Sequence, residues 1–263
     1  MLFKNKTVWI TGASSGIGRE LAVQFAQEGA NVILSARNAE KLAAIKADLA
    51  PGNHKVVPLD MAQPERLMQD IPAVLDEVGR VDILVNNAGI SQRSLFLENE
   101  FKVYRQLMEV NYFGLVAMTK AVLPRMIETG GGSVVAISSV AGKVGSKFRT
   151  GYSGSKYAVV GFMDCLRAEV SQHGIHCLTI CPGSVKTAIG HNSLNGQGVA
   201  QNKPEASIEN GMDPADAARQ MLKAIAARKD EVVIGKGISG WAPTIKRFFP
   251  QLFNMMTAKT SYR

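Results

Sequence analysis

Tyr152 and Lys156 stand four residues apart, which puts both on one face if the segment is helical. A phenol with an unperturbed pKa of about 10 is a poor acid or base at neutral pH, but a neighbouring ammonium favours its phenolate and brings it into range. Ser139 closes the apolar run Val134-Val135-Ala136-Ile137 and can offer a hydroxyl to the same point. Taken alone, a Tyr and a Lys at this spacing are equally an ordinary helix surface. A second group suits anions. Thr11-Gly12-Ala13-Ser14-Ser15-Gly16-Ile17-Gly18 lies between a β-type run, Thr7 to Thr11, and a helical pattern from Ile17 to Glu28. Glycines there permit positive φ and let backbone N–H groups approach a pyrophosphate, with the positive end of the helix aimed at the same anion. The alternative is a glycine-rich turn with no ligand. After the second strand a carboxylate would take the ribose 2′-hydroxyl of NAD. The sequence there is Ser35-Ala36-Arg37-Asn38, and an arginine can grip a 2′-phosphate by two parallel bonds. NADP(H) is therefore favoured over NAD, the alternative being that Arg37 is a solvated surface residue.

The elements that must hold these groups follow from the pattern of apolar residues. After the first helix come a strand at Val32 to Leu34, a helix capped by Asn38 and running to Leu49, and a strand at Lys55 to Leu59. A helix opened by Pro64 reaches Val78, and a strand follows at Val81 to Val85. A long helix from about Phe101 to Thr129, a strand at Ser133 to Ser138, a helix from about Gly151 to His173 and a strand at Ile175 to Ile180 come next. A helix from Ala215 to Arg228 and a strand at Glu231 to Ile234 complete the alternation. Several strands are continuously apolar, as strands covered on both faces must be. A single-domain α/β fold with a doubly wound parallel sheet and helices on both faces is the economical reading.

The chain has 263 residues, is 46% hydrophobic and carries a formal net charge of +8, which excludes a disordered or collagen-like polymer. Cys165, Cys177 and Cys181 are too few for a disulfide framework, and Cys177 and Cys181 lack the spaced partners of a zinc site, so no metal is expected. Reduced thiols, no secretory leader and no stretch able to span a bilayer give a cytoplasmic expectation. Five of the basic residues, Lys236, Lys246, Arg247, Lys259 and Arg263, fall in a tail without one acidic residue. The basic balance thus belongs to the C-terminus, and no basic and aromatic stripe for nucleic acid appears elsewhere.

Taken in order, TGASSGIG at Thr11 to Gly18, Asn86-Asn87-Ala88-Gly89, Asn111, Ser139, the Tyr152/Lys156 pair and Pro182-Gly183 resemble the classical short-chain dehydrogenase/reductase (SDR) family over nearly the whole chain to about Gly235. The resemblance implies a Rossmann-like fold with Tyr152 as proton donor to a carbonyl and Ser139 polarising the same oxygen. It implies that Lys156 binds the nicotinamide ribose and lowers the Tyr152 pKa, and that Asn111 holds a relay water. Asp60 matches the residue that meets the adenine amino group, Asn87 the one that lines the adenosine ribose, and Thr187 the hydroxyl that binds the carboxamide, with Val185 beside it in the cofactor site. Without the family, Asn111 would read as a capping or kinking group and Asp60 as a turn former. Two positions depart from the pattern: Ser15 stands where NADP-preferring members often carry a basic residue, so the NADP preference rests on Arg37, and Gly154 stands where alanine is more usual. The family also implies a homodimer or homotetramer, formed through the two long helices.

Residues 1–235 read as the dinucleotide-binding catalytic unit, including a substrate loop at 183–212, and residues 236–263 as a basic, apolar extension. Val185, Ala188, Ile189 and Leu194 are expected along one wall of the substrate site and Leu95 and Phe96 along another. From Trp241 to Met256 the extension places Ile245, Phe248, Phe249, Leu252, Phe253, Met255 and Met256 among lysine and arginine, broken by Pro243 and Pro250. It can lie in a membrane interface or over a lipophilic substrate, or simply pack on the fold. Cys181-Pro182-Gly183 and His191-Asn192-Ser193-Leu194 resemble the dehydrogenase/reductase subgroup acting on lipophilic ketones. The leading expectation is an NADPH-dependent carbonyl reductase or the reverse alcohol dehydrogenase. The alternatives are a 3-oxoacyl thioester reductase and a nucleotide-binding regulator or scaffold without turnover; the complete set Asn111, Ser139, Tyr152 and Lys156 argues against the last.

Overall fold

The computed structural model describes residues 1–259; Arg263, counted above in the basic tail, lies outside the described residues. Seven strands form one parallel sheet: β1 (Thr7–Thr11), β2 (Asn31–Ser35), β3 (Lys55–Val56), β4 (Ile83–Asn86), β5 (Gly132–Ile137), β6 (Ile175–Pro182) and β7 (Glu231–Ile234). Their order across the sheet is β3-β2-β1-β4-β5-β6-β7, so the direction of winding reverses between β1 and β4. Ligand sites of open α/β sheets form beyond the strand ends at such a reversal.

The apolar strands divide their side chains between two cores. Val8, Ile10, Val32, Leu34, Val135 and Ile137 face helices α1 (Gly16–Gln27) and α8 (Pro214–Ala226), where Leu21, Phe25, Met221 and Ile225 are buried. Their neighbours Trp9, Ile33, Leu84, Val134 and Ala136 face helices α3 (Pro64–Val78), α5 (Gly114–Glu128) and α6 (Thr150–Glu169). Alternation in direction with no alternation in polarity is what a sheet covered on both sides requires. Trp9 is fully buried, and its indole N–H finds the Ser35 hydroxyl at 2.8 Å. Asn38 caps α2 (Ala39–Ala47) by accepting the Lys41 N–H, as expected.

Differences from the sequence reading have local causes. β3 is shorter than expected because Pro58 has no N–H, although the Val57 and Leu59 amides still reach β2 and its exit through Leu34 and Ala36 carbonyls. The long helix from Phe101 is not uniform: α4 (Phe101–Met108) passes through a π-turn at Glu109–Phe113 into α5. The stretch 183–211 is irregular as read, apart from the single turn α7 (Ala206–Glu209). Pro243 does not break the tail; it lies inside α9 (Ile238–Phe248), and Pro250 opens α10 (Pro250–Lys259) where a missing N–H costs nothing. Ala242 and Phe253 of these helices are buried against Val140 and Val144, just beyond Ser139. Among the described residues no helix is long and apolar enough to cross a membrane.

Candidate active site

The loop after β1 has the conformation its glycines foretell. Gly12 and Gly16 take φ of 67° and 53°, and a Cβ on Gly12 would lie 2.8 Å from the Ala88 Cα. A Cβ on Gly18 would lie 2.3 Å from the Gly12 carbonyl oxygen, so glycine alone lets α1 start this close to the loop. Ser15 is the N-cap of α1 but its side chain makes no capping bond, and no acidic residue occupies the first turn. The first N–H groups of α1 therefore remain available to an anion. Ser14 and Ile17 are half-buried in the same loop. A Cβ on Gly16 would meet Thr187 at 3.0 Å, so Thr187 stands across the cradle from the helix start. These features fit the diphosphate of a dinucleotide.

Half-buried Asn87 is braced against the cradle, its Nδ2 donating to the Thr11 and Gly12 carbonyls at 3.0 and 3.3 Å. Arg37 is exposed at the exit of β2, on a cavity of about 270 Å³ that it shares with Asp60 and Arg66. Arg66 had no motif to reveal it; only the start of α3 on this side places it there. Asp60 does also form a turn, its Oδ1 accepting the Ala62 N–H at 3.0 Å.

The second cluster adjoins the first through one loop. Ala88 touches Gly12, and a Cβ on Gly89 would lie 3.3 Å from Lys156 Nζ and 3.1 Å from Asn111 Oδ1. Ser139 caps a short 3-10 turn by accepting the Ala141 N–H at 3.1 Å, and its hydroxyl, 3.5 Å from the Pro182 carbonyl, is near enough to Tyr152 to act on its phenol. The π-turn brings Asn111 out of helical register. Its amide spans the Ile90 N–H at 2.8 Å, the Ile90 carbonyl at 3.0 Å and the Ser155 hydroxyl at 2.9 Å. Lys156 is buried, 6.0 Å from the Tyr152 ring centre, and donates to the Ile137 carbonyl at 2.9 Å. Burial pulls its pKa down to about 8. One expectation is not met: burial raises the Tyr152 pKa above the ordinary phenol value, against the lowering influence of the Ser139 hydroxyl and the Arg149 charge.

Two expected wall residues are packed instead. Leu194 is buried among Val103, Leu107 and Ile90 because its backbone pairs with Ser91 and Arg93, and buried Val185 pairs with Met212 at the base of the loop. Ala188, Leu95 and Phe96 are exposed and Ile189 half-buried. An ionic cluster of Glu205, Arg93 and Arg149 beside Tyr152 was not read from the sequence, since a single glutamate in a polar loop carries no pattern.

Residues 6–198 match the short chain dehydrogenase family, so the chain belongs to that family of oxidoreductases. It is 40% identical to "Dehydrogenase/reductase SDR family member 7B" of Bos taurus, over 97% of this chain and 81% of the relative. Its structure superposes on a short-chain dehydrogenase from Streptomyces avermitilis with a TM-score of 0.83 at 30% identity, covering 99% of this chain and 100% of the other. An alcohol dehydrogenase from Thermococcus sibiricus, complexed with 5-hydroxy-NADP, gives 0.75 at 26% identity, covering 88% of this chain and 97% of the other.

Proposed function

We propose that this chain is an NADP(H)-dependent carbonyl reductase or alcohol dehydrogenase acting on lipophilic substrates. The observation that carries this reading is the convergence of Ser139 and Tyr152 beside buried Lys156, joined by Ala88 and Gly89 to the glycine cradle. The cradle Gly12, Ser14, Ser15, Gly16, Ile17 and Gly18 would hold the diphosphate, with Asp60 and Asn87 toward the adenosine and Val185 and Thr187 toward the nicotinamide. The bound cofactor supplies or accepts the hydride. Tyr152 gives its proton to the carbonyl oxygen while the Ser139 hydroxyl polarises that oxygen, so negative charge never accumulates on it unpaired. The proton leaves a phenolate behind, and the Lys156 ammonium is the cation placed to stabilise it. Asn111 fixes the Ile90 loop over this group and orients the relay of protons to solvent.

The exposed position of Arg37 on this cavity supports a 2′-phosphate ligand, whereas Arg66 on the same cavity is paired with Asp70 at 3.1 Å. Exposed Leu95, Phe96, Leu97 and Phe101 support an apolar substrate, and exposed Trp241, Phe248, Phe249, Leu252 and Met255 beside Arg247 support peripheral contact with a membrane. A homodimer or homotetramer and a cytoplasmic location complete the reading. Replacing Arg37 by alanine is expected to weaken NADPH by about 1.5–3 kcal/mol, the size of a charge-assisted hydrogen bond, with little change for NADH. Titration of both cofactors checks this; equal weakening would make Arg37 a surface residue.

A further inference from the structure

Among residues 202–207, Glu205 alone is buried; Asn202, Lys203, Pro204, Ala206 and Ser207 are exposed. A carboxylate is an unfavourable anchor for an otherwise solvated segment unless opposite charge meets it, because taking the charge out of water is costly. Two guanidiniums meet this one. Arg149 donates to Glu205 Oε1, Arg93 Nη1 lies 3.1 Å from the same oxygen, and the Ser207 hydroxyl donates to it at 2.6 Å. Burial opposes the charge, but Arg149, Ser207 and Arg93 together hold the Glu205 carboxyl below its ordinary value.

The arginines belong to the opposite wall. Arg93 follows β4, and Arg149 directly precedes α6, three residues before Tyr152. Arg149 also donates to the Ser91 hydroxyl at 2.9 Å, and its guanidinium lies 5.7 Å from the Tyr152 ring centre. A cavity of about 400 Å³ adjoins the cluster, lined in part by Arg93, Ser94, Phe148, Ser193, Gln201 and Glu205. The two arms of the loop are thus held differently. The outgoing arm is pinned by backbone, Leu194 N–H to the Ser91 carbonyl at 2.8 Å and Arg93 N–H to the Leu194 carbonyl at 2.9 Å. The returning arm is tied to the outgoing one at its two ends by backbone, Asn202 N–H to the His191 carbonyl at 3.0 Å and Met212 N–H to the Ser184 carbonyl at 2.9 Å, and between these ties it reaches the opposite wall through the Glu205 carboxylate.

We propose that Glu205 is a positioning residue: clasped by Arg93 and Arg149, it holds the returning arm of the loop beside Tyr152 and sets how tightly the carbonyl substrate is captured, without contributing to cofactor binding. This rests on the reading of Tyr152 as the acid of a carbonyl site. Loss of the clasp is a local event, so it changes opening of residues 203–211, between the backbone ties at Asn202 and Met212, and leaves the outgoing arm in place.

Full-length wild type, Glu205→Gln and Glu205→Asp are compared in two ways. Amide hydrogen exchange, which needs no substrate, is expected to run about tenfold faster in Glu205→Gln at the amides of Ile208 and Glu209, with Glu205→Asp between the two and Leu194 unchanged. Steady-state reduction of ethyl acetoacetate by NADPH is expected to show KM raised about tenfold, kcat within about threefold, and the NADPH dissociation constant within about twofold, with partial recovery in Glu205→Asp. Unchanged exchange at Ile208 and Glu209, or equal acceleration at Leu194, would overturn the clasp, as would loosened amides with an unchanged KM. Should wild type not reduce the ketone, the failure falls on the carbonyl-reductase reading, and exchange alone decides the clasp.

Discussion

Lys156 keeps its ammonium where burial works against it, and the cost should be visible in stability. Its pKa is lowered from 10.5 to about 8, so across that interval the unfolded chain holds more protons than the folded one. Stability contributed by this group therefore rises with pH through the window. Tyr152, Cys177 and Cys181, raised by burial, act in the opposite sense as their unfolded forms lose protons first. Urea denaturation of wild type and Lys156→Met from pH 8 to about 10 isolates the lysine, because the opposing groups are common to both. The wild type is expected to gain stability relative to the variant as pH rises; parallel profiles would mean that Lys156 is not desolvated. At this scale Ser139, Tyr152 and Lys156 were legible because their types and spacing have few other uses in company with a glycine loop. Glu205, Arg93 and Arg149 were not, because an ion cluster made by three loops leaves no period in the sequence.

The elements were legible wherever burial imposes a pattern. Continuous apolar runs marked β1, β2, β4 and β5, and β7 falls at Glu231–Ile234 as read. The π-turn at Glu109–Phe113 was not legible, since one extra residue in a helix changes hydrogen bonding without changing composition. It matters because Asn111 lies within it and bridges Ile90 and Ser155. The junction of β1 and α1 offers a sharper test of packing. Gly18→Ala would place its Cβ 2.3 Å from the Gly12 carbonyl oxygen and 2.5 Å from Asn87 Nδ2, and the backbone contact cannot yield as a flexible side chain could. A loss of about 1–3 kcal/mol in denaturation, accompanied by weaker NADPH binding, is expected. Wild-type values for both would show that α1 can retreat from the loop.

On the scale of the whole molecule, the tail closes one end of the sheet and presents a second surface. Its helix α9 is tied to the catalytic side by Lys246, which donates to the Lys143 carbonyl and to the Tyr157 hydroxyl. Its outer side leaves Trp241 and Phe248 at 67%, Phe249 at 62% and Leu252 at 51% exposure, with no acidic residue from Lys236 to Lys259 to repel an anionic surface. Apolar burial and basic charge act together at a membrane interface. Phe248→Ser with Phe249→Ser is expected to reduce co-sedimentation with anionic vesicles while NADPH binding stays at the wild-type level. Unchanged sedimentation would leave the tail a packing element.

In the proposed mechanism Tyr152 transfers the proton at a carbonyl beside an NADPH site built by the same chain. The most direct measurement is single-turnover oxidation of NADPH by wild type and Tyr152→Phe on a ketone that wild type reduces, with the NADPH dissociation constant determined for both. Loss of the general acid should slow turnover by about 10²-fold or more while cofactor affinity stays within about twofold, because the phenol hydroxyl lies outside the glycine cradle. A Tyr152→Phe variant that retains most of the wild-type rate would contradict the mechanism.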